Sequence, residues 1–271
     1  MGRKSLRMLR ITIVTLFPEY FDSFLNNSII KRAISKKVIE FKFVNIRDFT
    51  KDKHHRVDNP PVGGGAGLIM QMQPVCDALN SVKTNKSHVV LMSPLGKTFN
   101  QDKAKELSLK EDIIIVCGHY EGIDYRFNSY CDELISVGDY ILTGGEVGAL
   151  VLSDSITRLL EGAITKESTQ EESFNDNLLE YPQYTLPYDY EGKKIPDILF
   201  SGNHKAIEIF RKRESLRLTM QLRPDLFAKY TLSSADKRRL KEIENNDISP
   251  IEKIALEKGE RFIKSNQEKS D

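Results

Sequence analysis

The sequence predicts an α/β domain built on a mostly parallel β-sheet, followed by a small all-helical C-terminal domain. Five short apolar runs rich in β-branched residues alternate with helix-like segments, which is typical of parallel strands joined by crossover helices. A polar, acidic stretch without periodicity, ITKESTQEESFNDN, then predicts a linker, and the chain beyond it is charged and helix-like. The predicted boundaries are residues 1–163 for the α/β domain, 164–177 for a mobile linker and 178–271 for the helical domain.

The predicted elements follow in order along the chain. Strands are predicted at residues 9–17, 38–46, 89–92, 113–116 and 134–137. Apolar residues at three- and four-residue steps predict a helix over 146–160, which closes the first domain. Residues 181–198, rich in proline and tyrosine, are predicted to be extended. Three further helices are predicted to begin at serines in capping positions, Ser201, Ser234 and Ser249, and the first ends before Pro224.

The composition favours a soluble globular protein. No apolar run approaches the roughly 18 residues of a membrane span, so a membrane role has no support. Cys76, Cys117 and Cys131 are odd in number and lack metal-type spacing, which favours reduced, mostly buried thiols and a cytoplasmic location.

The formal net charge is only +1, but the charges are unevenly distributed. Residues 31–56 contain nine Lys and Arg against three acidic residues, and residues 201–223 contain six against two. Residues 111–146 contain one Arg against eight acidic residues. Basic segments beside an acidic, glycine-rich one fit a polyanion at the edges of a site that also holds a cation, although ordinary solvated faces explain any single patch equally well.

Two predicted strands end in glycine-punctuated turns within residues 113–146, and these turns are the strongest sign of a ligand site. Their glycines allow backbone to approach a bound molecule or to adopt positive φ, and polar side chains stand among them. The glycines are 118, 122, 138, 144 and 145, and the polar residues are Tyr120, Glu121, Asp124, Asp139 and Glu146.

Spacing argues against several common ligand motifs. SPLGKT lacks the glycine five residues before Gly96 that a phosphate-binding loop requires. The GGGAG run has Leu68 where a dinucleotide motif needs glycine, so it predicts a flexible loop that contacts a ligand or a partner, with a plain turn as the alternative. The scattered histidines and cysteines form no metal motif, and no G-x-S-x-G supports a serine hydrolase.

Two basic features allow competing explanations. His54 and His55 lie in a polar loop beside Arg56, where phosphate contact and simple exposure are equally good explanations. Arg158 lies near the end of an apolar predicted helix, where a half-buried guanidinium needs an anionic partner. The alternative is that Arg158 is a cation in the last turn of the helix that interacts favourably with the helix dipole.

Together these residues resemble the bacterial tRNA (guanine-N(1))-methyltransferase family, which methylates the guanosine 3′ of the anticodon. The resemblance runs from about Met8, and residues 1–7 fall outside it. It implies a SPOUT-type fold with a deep trefoil knot, a homodimer, and tRNA, with neither DNA nor a membrane, as the partner. The motifs that carry it are LFPEYF, RDFT, DKHHRVDNPPVGGGAGLIM, SPLG, CGHYEGID, VGDYILTGGE, DSITRL, ESF and SGNH.

The resemblance also implies the site residues. Arg158 matches the family's catalytic arginine, and Glu172 occupies the position where the general base is usually Asp, with Asp176 as the alternative. The family uses Mg2+, and the resemblance implies no particular residue of this sequence as its ligand. Residues implied to bind S-adenosylmethionine are Pro94, Gly118, Tyr120, Glu121, Gly122, Val137, Gly138, Asp139, Tyr140, Ile141, Leu142, Gly144 and Gly145. Residues expected to bind RNA are His54, Arg56, Gly63, Gly64, Gly65, Ser201, Gly202, Asn203 and His204.

The sequence also allows two other functions. The departure at Glu172 fits a non-catalytic RNA-binding module that keeps the fold. A methyltransferase acting on another RNA is the second, although the GGGAG loop, the RDFT segment and the helical domain match the tRNA-guanine members specifically.

Overall fold

The computed structural model describes residues 8–164, 173–174 and 176–267. The chain divides into two compact units, one up to residue 169 and the other from residue 170 onward. Within the described residues, no helix is both long enough and apolar enough to cross a membrane.

The first unit is built on a five-stranded parallel sheet in the order β2-β1-β6-β5-β7, and all five predicted strands are present in it. These strands are β1 (Leu9–Thr15), β2 (Ile39–Asn45), β5 (Ser87–Thr98), β6 (Asp112–Cys117) and β7 (Glu133–Ser136). A separate antiparallel pair consists of β3 (Asp58–Asn59) and β4 (Ile69–Met70). The helices are α1 (Asp22–Asn26), α2 (Ser28–Ser35), α3 (Met72–Asn80), α4 (Gln101–Ser108) and α5 (Glu146–Leu159).

The central strand β6 is buried on both faces of the sheet. Ile113 and Ile115 join one apolar core, which includes Leu152 of α5, and Ile114 joins a second core, which includes Val75 of α3. This arrangement explains why the strand is a continuous apolar run, since a parallel strand covered by helices has no solvent face. The mostly parallel α/β architecture predicted from the sequence is therefore confirmed.

Strand β5 is longer than predicted because it contains a bulge. Met92 and Lys97 both pair with Ile135 of β7, so residues 93–96 protrude from the ladder. Gly96 packs directly against the backbone of Leu134 and Ile135, where a side chain has no room. The bulge carries the SPLG motif to the end of the sheet at which β6 and β7 also finish.

Among its described residues the second unit has four α-helices, and the first and last of them contribute to a small core that includes Ile198, Phe210 and Ala255. A buried ion pair joins Arg213 to Glu252, with 2.7 Å between Nη1 and Oε1. The elements are the pair β8 (Asp189–Tyr190) and β9 (Lys193–Lys194), α6 (His204–Leu222), α7 (Pro224–Phe227), α8 (Ser234–Glu244) and α9 (Pro250–Gln267).

The predicted cap at Ser201 is wrong, while the helix predicted from Ser234 begins at that residue and has Ser233 as its cap. Helix α6 begins three residues after Ser201, and Asn203 caps it by accepting from the Ala206 amide. Helix α8 is capped by Ser233 through a capping box with Asp236, so Ser234 is its first helical residue. In both cases the neighbouring side chain reaches the free amides of the first turn, and sequence position alone did not distinguish the candidates.

Candidate functional site

A cavity of about 420 Å3 lies where three loops of the first unit meet. Loop 1 is the bulge at residues 93–96, loop 2 is residues 118–124 after β6, and loop 3 is residues 137–145 after β7. The carboxyl ends of neighbouring parallel strands meet at one edge of a sheet, which is where ligands bind in open α/β folds. These three loops contain all of the residues that the family resemblance implies to bind the cofactor.

Loops 2 and 3 are hydrogen-bonded to each other. The Gly145 amide donates to the Gly118 carbonyl at 2.8 Å, and His119 and Gly144 form an isolated antiparallel bridge. In the sheet β5 lies between β6 and β7, so loop 3 crosses the end of β5 to make these contacts. The cavity wall is thus assembled from segments that are distant in sequence.

The glycine-rich run supports loop 2. Leu68 accepts a hydrogen bond from the Glu121 amide at 3.0 Å, and Met70 donates to the Gly122 carbonyl at 2.9 Å. Gly67 lies directly against the Glu121 side chain with a φ of +82°, a conformation that favours glycine. Movement of this run is therefore coupled to the cavity wall.

Loop 3 is braced internally. The Tyr140 hydroxyl donates to the Val137 carbonyl at 2.9 Å, and the Tyr140 ring covers Gly138, whose φ is +149°. Folding the ring back over the loop leaves the neighbouring Ile141 84% exposed. An apolar side chain this exposed at a cavity rim is available to a ligand or to another protein chain.

Of the thirteen residues implied to bind the cofactor, all but Asp139 line the cavity, and Asp139 is exposed beside it. Sequence reasoning missed several lining residues, including Ser93, Leu95, His119, Ile123, Tyr125, Asn128 and Thr143. The motifs SPLG and CGHYEGID contain four of these, and within those motifs the prediction selected only Pro94, Gly118, Tyr120, Glu121 and Gly122.

Negative charge is concentrated around the cavity. Glu121 lines it, while Asp124 pairs with Arg126 at 2.7 Å, and this hydrogen bond lowers the pKa of the Asp124 carboxyl. Glu146, at the start of α5, is only 3% exposed and accepts a 2.7 Å hydrogen bond from the Thr15 hydroxyl. Of these three carboxylates Glu121 is the one that lines the cavity, and its negative charge favours a cationic ligand.

Arg158, the predicted catalytic arginine, does not line this cavity. Arg158 is half-buried in the last turn of α5, ten residues beyond the cavity-lining Gly148. At 1.5 Å per residue, that separation is about 15 Å along the helix axis. Glu172 lies outside the described residues, and Asp176 is exposed within the second unit.

The candidate RNA-binding residues of the first unit lie in two exposed loops. His54 is exposed, and Arg56 is paired with Asp52, whose pKa is lowered to about 2, mainly by the Arg56 side-chain hydrogen bond. Gly63, Gly64 and Gly65 are exposed and have φ values of +94°, +86° and +132°.

The candidates of the second unit have different environments. Ser201 is buried, and its hydroxyl accepts from the Asn203 amide, while Asn203 caps α6. Gly202 and His204 are exposed. Ser201 and Asn203 therefore order the start of α6. The exposed Gly202 and His204 are the two that are accessible to an RNA.

The three cysteines are free. Burial raises the pKa of the Cys117 thiol well above its usual value, with a further contribution from Glu146, and it raises the pKa of Cys131 to about 12. These thiols are therefore poor nucleophiles at neutral pH.

Comparison with known proteins connects this architecture to one family. The family model described as tRNA (Guanine-1)-methyltransferase TrmD matches residues 9–229. A tRNA (guanine-N(1)-)-methyltransferase of Clostridium botulinum (strain Hall) is 52% identical over 236 residues, covering 86% of this chain and 98% of the relative. The enzymes of the same name from Clostridium perfringens and Malacoplasma penetrans are 51% and 49% identical, covering 86% and 82% of this chain and 99% and 98% of the relatives.

Proposed function

Because the chain belongs to the tRNA (guanine-N(1)-)-methyltransferase family, we propose that it methylates N1 of the guanosine that follows the anticodon in tRNA. It is an enzyme of tRNA modification, and the methyl donor is S-adenosylmethionine. The observation that carries the proposal is the cavity formed by loops 1, 2 and 3, all of which lie within the residues matched by the family model.

The residues around the cavity fit the donor. A volume of about 420 Å3 falls in the range of small-molecule sites, and glycines at 118, 144 and 145 let backbone groups approach the ligand. S-adenosylmethionine supplies a methyl group on a positively charged sulfur, which becomes neutral on transfer. Glu121 places negative charge at the cavity wall, where that cation would be held.

The target base defines what the remaining residues must do. Guanine N1 carries a proton at neutral pH, so attack requires a general base, while O6 gathers negative charge and needs a cation nearby. We assign the cation to Arg158 and the base to Glu172, with Asp176 as the alternative. Among the described residues no three or more His, Cys, Asp or Glu side chains form a metal-binding group, and we assign no ligand to Mg2+.

A homodimer would explain how Arg158 acts at a cavity from which its own chain keeps it distant. Val147, Val151 and Arg158 share one face of α5, and the two valines are 42% and 43% exposed. Burying this face against the same face of a second copy, with the helices antiparallel, would set the Arg158 end of one α5 beside the Gly148 end of the other. We therefore propose a site completed by two subunits.

We further propose the trefoil knot, the three-part domain division and the tRNA contacts implied by the family resemblance. The passage of loop 3 across the end of β5 to reach Gly118 supports the knot. The exposed His54, the glycines of the 63–65 run, Gly202 and His204 support the RNA contacts, since each is accessible. The cytoplasmic location stays a prediction.

The test uses two tRNA transcripts that differ only in carrying G or A after the anticodon. We expect methyl transfer to the G transcript alone, with 1-methylguanosine at that position on product analysis. Methylation of both transcripts, of neither, or at a ribose hydroxyl would contradict the proposed function.

The general base is tested separately by single-turnover kinetics of Glu172→Gln and Asp176→Asn. We expect Glu172→Gln to abolish the fast transfer and Asp176→Asn to preserve it, because only the first removes the proposed proton acceptor. The opposite pair of results would move the base to Asp176.

A further inference from the structure

We infer that Glu146 is a positioning residue that holds His119 with its proton on Nδ1, so that His119 Nε2 offers the cavity ligand a hydrogen-bond acceptor. The inference rests on the function proposed above, because it takes the ligand to be the methyl donor.

Glu146 is a buried carboxylate with one oxygen committed. Its Oε1 accepts from the Thr15 hydroxyl at 2.7 Å, and Thr15 itself is 0% exposed. Its place in the first turn of α5 stabilises the negative charge through the helix dipole. A buried carboxylate is costly unless its oxygens find donors, so the second oxygen requires a partner.

His119 supplies a candidate donor. Its Nδ1 is buried and makes no hydrogen bond to any of the described residues. A Cβ placed on Gly144 would lie 2.6 Å from His119 Nδ1 and closer still to Glu146 Oε2, so the two atoms are within about 5 Å of each other. The glycine at position 144 keeps the space between the two atoms open, and the inference requires a side-chain rotation that brings them to hydrogen-bond distance.

The rest of the His119 environment fixes the ring without using its nitrogens. The ring centroid lies 4.9 Å from that of Phe17 and 5.0 Å from that of Tyr120. The His119 backbone amide donates a hydrogen bond to the Met70 sulfur at 3.2 Å. In the inferred arrangement Nδ1 therefore pairs with the Glu146 carboxylate, and Nε2 is available to a ligand in the cavity that His119 lines.

The chemistry then assigns the tautomer. A carboxylate can only accept, so pairing with Glu146 places the imidazole proton on Nδ1 and leaves the lone pair on Nε2. S-adenosylmethionine carries ammonium, amino and hydroxyl groups, each of which can donate to that lone pair. Glutamine at position 146 would instead turn its amide protons toward Nδ1 and reverse the tautomer.

The first test is ¹⁵N NMR of the imidazole nitrogens, at a pH where imidazole is neutral. We expect an Nδ1–H signal for His119 in the wild type and an Nε2–H signal in Glu146→Gln. The matched control is Glu133→Gln, which removes the carboxylate bonded to His88 Nε2 at 2.7 Å and should leave the His119 signal unchanged. A His119 proton on Nε2 in the wild type, or a tautomer that Glu146→Gln does not change, would overturn the inference.

The second test is a double-mutant cycle on S-adenosylmethionine binding. Glu146→Gln should weaken binding about tenfold, the effect of one hydrogen bond to a charged group, and should have no further effect in a His119→Ala background. Additive losses would show that Glu146 does not act through His119. If the tautomers behave as expected but the wild type binds no S-adenosylmethionine, the proposed function of the cavity fails instead.

Discussion

Substitution of Gly145 by alanine tests whether the close packing of loop 3 against β6 is required for stability and for ligand binding. Gly145 precedes α5 with a φ of −78°, which any residue adopts, so an alanine there carries no conformational penalty. Its added Cβ would lie 2.7 Å from Cys117 Cα and 3.0 Å from Met92 Cβ, where ordinary contacts begin at 3.4 Å. Because the first of these atoms belongs to the backbone of β6, loop 3 must move away from loop 2.

The expected cost follows from this overlap. Overpacking a core costs about 1–3 kcal/mol, and each kcal/mol lowers the melting temperature of a domain of this size by about 2–4 °C. Differential scanning calorimetry of Gly145→Ala should therefore show a melting temperature about 2–12 °C below the wild type. Binding of S-adenosylmethionine should be lost as well, because the loops that form the cavity no longer meet.

Gly118→Ala is the matched control. Its added Cβ would meet Ile123 Cγ1 at 3.4 Å, an ordinary contact, so we expect the melting temperature to stay at the wild-type value. Gly118 lines the cavity, however, and an extra methyl group there should weaken binding of the donor by about tenfold or more. The reasoning fails if Gly145→Ala melts with the wild type, or if Gly118→Ala melts as low as Gly145→Ala.

Three further predictions concern other parts of the chain. The pKa of Asp52 is lowered to about 2 from an ordinary 3.8, so its contribution to loop order should be complete above pH 3.8 and should be lost as the pH falls toward 2. Amide NMR of residues 52–56 should show this pH dependence. The variant Asp52→Asn should not show it. Glu252→Gln should destabilise the second unit by about 1.5–3 kcal/mol in urea unfolding, since it removes the nearer of the two carboxylates paired with Arg213 and leaves Glu214 at 3.9 Å. Glu260→Gln, at an exposed pair, should change nothing measurable. Arg158→Ala should lower the rate of methyl transfer by about 10²–10³-fold at unchanged S-adenosylmethionine affinity, and a loss of affinity instead would contradict its role at the guanine oxygen.

Local pattern was sufficient for the parallel sheet. The apolar run at Ile113 and the other four strands of the sheet could be predicted because buried parallel strands are apolar on both faces. Helix α5 could be predicted because its apolar residues recur at helical steps. Composition could also place the loop glycines near a ligand, since few other reasons require so many of them between two strands.

The rest depended on contacts between distant residues. The bulge at 93–96 exists because Met92 and Lys97 both pair with Ile135, a register that no local pattern encodes. The His119–Glu146 arrangement is set by the crossing of loop 3, and the caps at Asn203 and Ser233 by which side chain reaches the free amides. The domain boundaries and the roles of the site residues stay predictions.

The most direct test of the account is a crystal structure of the protein soaked with S-adenosylmethionine. We predict a bent ligand inside the cavity, touching loops 1, 2 and 3 at once, with its sulfur facing Glu121. A ligand bound at another surface, or one that touches a single loop while the cavity stays closed, would contradict it.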